Sequence, residues 1–81
     1  MKLPRDVSGA QLAKALSAMG YRVTRQAGSH LRLTCDQPSQ HHVTIPDHQS
    51  LRIGTLAGIL GSIATHHGLS RDQVIERVFG R

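Results

Sequence analysis

The sequence predicts an α+β fold: a helix, a three-stranded antiparallel sheet, a second helix and a short C-terminal helix. Three observations predict it. Two segments, Ser8-Gly9-Ala10-Gln11 and Ser70-Arg71-Asp72-Gln73, have the capping-box form that opens helices. Between them, residues 21–45 alternate apolar and polar side chains around turn-forming residues. Leu56, Ile59, Leu60 and Ile63 then recur at helical spacing.

The first helix runs from about Gly9 to Met19. Leu12, Leu16 and Met19 form its apolar stripe, and Gly20 is well placed just past its end. Tyr21 to Ala27 and the segment around Leu31 and Leu33 read as a hairpin about Gly28-Ser29. Its apolar residues Tyr21, Val23, Leu31 and Leu33 all carry odd numbers. For all four to share a face, the loop must have an odd length, most simply Ala27-Gly28-Ser29. Arg22, Thr24, Gln26, His30, Arg32 and Thr34 then occupy a polar, basic face. His41 to Ile45 is the third strand, with Val43 and Ile45 inward and His42 and Thr44 on the polar face. The second helix begins near Gly54 and ends at Gly68. Gly58 and Gly61 inside it cost about 1 kcal/mol each against Ala, and close packing on the sheet is a reason for them. Val74, Ile75, Val78 and Phe79 make the third helix apolar on one side.

The 81 residues form one domain, residues 1–81, without repeats or low-complexity segments. A chain of this size buries only roughly 60% of the surface it exposes when unfolded, so its core is thin. With 38% hydrophobic and 2% aromatic residues, that core must be aliphatic. Ten Lys and Arg against five acidic residues give a net charge of +5, which points to a polyanion or an acidic protein as partner. Cys35 is the single cysteine, so no internal disulfide forms, and a reducing, cytoplasmic setting is expected. The first residues lack the apolar run of a signal peptide, and no stretch approaches the roughly 20 apolar residues that span a bilayer.

Six histidines raise the question of metal. His41 and His42 are adjacent on a strand and point to opposite faces, whereas His66 and His67 lie about 100° apart on a helix. No pair has i, i+4 spacing and there is no CxxC, so no metal site and no cofactor are expected. No nucleophile elbow, phosphate loop or dinucleotide fingerprint is present, and Ser29 lacks the context of a covalent nucleophile. His30 is the candidate for chemistry. It lies on the polar face with Arg25 and Arg32 near in sequence. An imidazole can move a proton on and off a sugar hydroxyl or a leaving oxygen. RNA carries its own nucleophile, the 2′-hydroxyl, so one such group with phosphate-binding cations is sufficient. Arg22, Arg25, Ser29 and Arg32 are the candidate RNA-binding residues.

Three blocks resemble, in order, the HicA (YcfA-like) toxin family over about residues 8 to 69. Met19-Gly20-Tyr21 closes a short amphipathic helix and is followed by Arg25-Gln26-Ala27-Gly28-Ser29-His30, similar to the family's Gly-Ser-His signature. Val43-Thr44-Ile45-Pro46 with His48 resembles its V-x-V/I-P-x-H stretch, and Leu51 to Leu60 resembles its L-x-x-G-T-L-x-x-I-L. The resemblance implies a fold like double-stranded-RNA-binding domains. It implies a metal-independent endoribonuclease that cuts mRNA, with His30 catalytic, held inactive by a HicB-like antitoxin. Gln49-Ser50 departs from the Lys- and Glu-rich loop common in the family, and the tail from Ser70 extends beyond its short members. The other reading is a non-catalytic RNA-binding module, or a decayed toxin that mainly holds an antitoxin.

Overall fold

The computed structural model describes residues 3–80; Met1, Lys2 and Arg81, the last residue of the tail, lie outside them. Helix α1, Gly9–Ala15, tightens into a 3-10 turn over Leu16–Met19. Strands β1, Arg22–Ala27, β2, His30–Cys35, and β3, His41–Pro46, follow, then helices α2, Ile53–His67, and α3, Arg71–Phe79. The sheet is antiparallel in the order β1-β2-β3, so β2 is central. Helix, open three-stranded sheet and two helices are the predicted α+β order, consistent with a double-stranded-RNA-binding-domain arrangement.

The predicted caps are made. The Ser8 hydroxyl accepts from the Gln11 N–H at 3.0 Å, while the Gln11 side chain accepts from the Ser8 N–H at 2.9 Å. Ser70 and Gln73 repeat the exchange at 3.1 and 2.8 Å. Each pair satisfies two N–H groups that a helix start leaves without partners. Gly20, at φ 84°, ends the first helical segment in the left-handed region, where a Cβ is disfavoured.

All three helices contribute to one core, and α1 and α2 lie on one face of the sheet. Leu12 and Leu16 meet Leu33, Ile45, Leu56, Leu60, Ile63 and Val74, all fully buried. Each such side chain stabilises the fold by about 1.5–3 kcal/mol. Val74 and Ile75 show that the C-terminal tail completes this core.

Three expectations need correction. The hairpin turn has two residues, not three: Ala27 pairs with His30 across Gly28-Ser29, with Gly28 at φ 57°. The one-residue offset that parity demands lies farther down, as a bulge between Val23 and Arg25. Val23 is 49% exposed rather than in the core. The reason is position: α1 packs on β2 and β3, and α2 on β3, so β1 is an uncovered edge. Gly58 and Gly61 do not pack closely on the sheet, since a Cβ on either would meet nothing within 4 Å.

The glycine that does permit close approach is Gly9. A Cβ there would collide with the Pro46 carbonyl oxygen, and the Gly9 N–H donates to the His48 carbonyl at 2.9 Å. The same loop is tied to the hairpin turn by Asp47 N–H donating to Ser29 O at 2.6 Å. Helix α1 thus fixes the end of the sheet where His30 stands. Gly9→Ala is expected to lose about 1–3 kcal/mol of stability by overpacking. Gly58→Ala is expected to gain roughly 0.5–1 kcal/mol from helix propensity. Urea unfolding of the two variants checks both signs.

Candidate functional site

Directly paired residues in an antiparallel sheet share a face, so the register writes out the open face row by row. Ala27, His30 and Pro46 form the row nearest the hairpin turn. Arg25, Arg32 and Thr44 form the next, and Arg22, Thr34 and His42 the third. Successive rows are about 7 Å apart along the strand. In the third row Thr34 is buried, its hydroxyl 2.8 Å from Thr24 Oγ1 and 2.8 Å from His42 Nδ1. This hydrogen-bonded row stiffens the sheet below the arginines.

His30 is exposed, and no hydrogen bond joins its ring to another described residue. Both ring nitrogens can therefore meet a ligand. The bulge decides the position of Arg25. Simple alternation would send it to the covered face, with Gln26 on the open one. The extra residue at Thr24 exchanges them, so Arg25 stands directly opposite Arg32 and Gln26 opposite Leu31. Like charges directly opposite one another repel. An anion bound between the two guanidinium groups would relieve that repulsion, and guanidinium geometry matches phosphate.

The structure does not bring Arg22 into this group. It lies four residues along the sheet from His30, about 13 Å, and its guanidinium is 3.0 Å from Asp36 in an exposed ion pair. Ser29 is in the turn beside His30, where its carbonyl holds Asp47. His48 is exposed on the same loop, and its carbonyl anchors α1.

The covered face holds a second polar group. Cys35 pairs with His41 at the far end of β2 and β3, and His66 and His67 reach them from the last turn of α2. The Tyr21 hydroxyl lies 2.6 Å from His41 Nδ1 and 3.1 Å from His67 Nε2. The His41 and His66 rings stack at 4.3 Å, and Cys35 Sγ is 3.8 Å from His67 Nε2. Burial pushes the Tyr21 hydroxyl well above its usual pKa. Burial, then the neighbouring His66, lowers both His41 and His67; His67 also feels Arg77, and His41 feels His67 and His42. Spacing along single elements hid this group. One signal was present: His67 lies four residues past Ile63 and so continues the buried stripe Leu56, Leu60, Ile63.

The family model for the HicA toxin of bacterial toxin-antitoxin systems matches residues 9–64. That span contains His30, all three hairpin arginines and His48, and ends before His66. No curated protein and no solved structure matches the chain.

The lowered histidines give a signed pH dependence. The folded chain binds these protons less readily than the unfolded chain, so their contribution is present above the ordinary value of 6.5. It is lost as the pH falls through that value towards the lower folded ones. In chelator-containing buffer, the urea midpoint is expected to drop between about pH 7 and 5, and His67→Gln to flatten the drop. Equal slopes for the two proteins would show that His67 does not carry it.

Proposed function

The chain belongs to the HicA toxin family of bacterial toxin-antitoxin systems, and on that premise we propose that it is a metal-independent endoribonuclease acting on mRNA. The supporting observation is the placement of exposed His30 one row from the opposed Arg25 and Arg32 on an open sheet face. A scissile phosphate bound by the two arginines sets the adjacent ribose against the His30 ring. The imidazole takes the proton of the 2′-hydroxyl as that oxygen attacks phosphorus. The bond to the 5′ oxygen breaks, and this oxygen takes a proton from the imidazolium or from water. The products are a 2′,3′-cyclic phosphate and a 5′-hydroxyl. The phosphoryl group gains negative charge on the way, and two guanidinium groups stabilise it most at that point.

An antitoxin partner follows from the family. We take it to be a HicB-like protein that covers the same face. An acidic surface matched to the net charge of +5 would associate rapidly through electrostatic steering and exclude RNA by occupancy.

Three measurements test this reading. His30→Ala should lose roughly 10²–10⁴-fold in cleavage rate while keeping its fold, and chelator should leave wild-type cleavage intact under conditions where circular dichroism shows the chain folded. A wild-type chain that binds RNA without cutting it would instead support the non-catalytic module. Arg32→Ala and Arg25→Ala should each flatten the log-log salt dependence of RNA affinity by about 0.7–0.9, one phosphate contact apiece. An unchanged slope would leave that arginine a solvated strand residue. Arg22→Ala should change it least, because Asp36 already engages that guanidinium. RNA and antitoxin should compete for His30→Ala, and a ternary complex with undiminished affinities would exclude occlusion.

A further inference from the structure

The group on the covered face has a composition that the RNA chemistry does not use. One thiol and three imidazoles, from β2, β3 and the end of α2, converge with the hydroxyls of Tyr21 and Ser62 at one corner of the core. Cys35 is 1% exposed, and its thiol donates to the Gln37 carbonyl at 3.1 Å. The donor atoms of Cys35, His66 and His67 all lie within 4.8 Å of one another.

We propose that Cys35, His66 and His67 bind a zinc ion, with a solvent molecule completing the shell. Tetrahedral zinc, with bonds of about 2.3 Å to sulfur and about 2.0 Å to nitrogen, holds its donors roughly 3.3–3.7 Å apart. Cys35 Sγ and His67 Nε2 are already 3.8 Å apart. The donors of Cys35, His66 and His67 need to close by about 1 Å, which asks the His66 ring, now 2.9 Å from the Ser39 carbonyl at Nε2, to rotate in the last turn of α2. His41 lies across the register from Cys35 and its ring stacks on His66, but it stands beside the site rather than in it: its Nδ1 faces the Tyr21 hydroxyl and its Nε2 is 3.3 Å from Ser62 Oγ. The Tyr21 hydroxyl, 3.1 Å from His67 Nε2, gives up that contact when the ion binds and keeps the one to His41 Nδ1 at 2.6 Å.

The donor set selects the metal. One thiolate with imidazoles suits a borderline-soft tetrahedral ion, whereas magnesium and calcium require oxygen donors. Binding releases the Cys35 proton to solvent, because the thiolate is the ligand.

The site would be structural. Cys35 is five residues from His30 along β2, about 17 Å away and on the opposite face. The ion would join the end of β2 to the C-terminus of α2, two places that the thin aliphatic core leaves to polar contacts. Small domains commonly use such a staple. His66 and His67 lie past the end of the family match at residue 64, whereas Cys35 lies within it.

Cobalt(II) is the direct probe. Chelator-treated, reduced wild-type protein is titrated with Co²⁺ alone. The expected result is a thiolate-to-cobalt charge-transfer band with intense tetrahedral visible bands, saturating at one equivalent and abolished by one equivalent of Zn²⁺. Cys35→Ser should lose the charge-transfer band, and His67→Ala should weaken zinc binding by more than about tenfold. Circular dichroism establishes that each variant is folded. The wild-type titration decides even where a variant fails to fold. Absence of the charge-transfer band, or weak octahedral binding that persists in Cys35→Ser, would overturn the proposal and assign any bound metal to the exposed histidines.

Discussion

The pairing of β2 with both of its neighbours is the constraint on which the rest depends. Its register sends His30, Arg32 and Thr34 to the open face and Leu31, Leu33 and Cys35 to the helices. A slip by one residue would turn every side chain over, putting Arg32 into the core and Leu33 into solvent. Burial of Leu31 and Leu33 therefore fixes the position of His30. The core and the site are two faces of one strand.

Around that strand, each device serves to hold one end of the sheet. Gly9 lets α1 lie against the Pro46 carbonyl, and Asp47 ties the same loop to the hairpin turn. The bulge at Thr24 lets one strand satisfy two demands. Val23 remains paired with Leu33, and Arg25 is turned to face Arg32. A regular hairpin would offer one arginine in that row, where the bulged one offers two. The two guanidinium groups repel each other in the free protein, and under the proposed function a bound phosphate would relieve that repulsion.

Elements whose signals are local were legible in the sequence. Both capping boxes, the Gly20 stop, the α2 stripe and the alternation of Leu31 and Leu33 and of Val43 and Ile45 came from neighbours a few residues apart, and each is present in the fold. The placement of His30 on the polar face was legible for the same reason, since parity within one strand suffices. What was not legible depends on pairing between elements. Parity showed that the hairpin needed one extra residue but not whether it lay in the turn or at Thr24. Hence Arg25 could not be set opposite Arg32, and Val23 was placed in the core although the helices pack chiefly on β2 and β3. The Cys35 and His67 cluster joins residues 32 positions apart, and its histidines carry no useful spacing along either element. Only the continued stripe from Ile63 to His67 hinted at it.

The central claim is that the sheet separates a reactive open face from a structural covered one. An NMR titration tests it most directly, using isotope-labelled His30→Ala and a short RNA. Shifts concentrated on Arg25, His30-site, Arg32, Thr44 and Asp47 amides, with Leu56 to His67 of α2 little changed, are the predicted result. Shifts centred on α2 and α3 with the β2 open face silent would contradict the account.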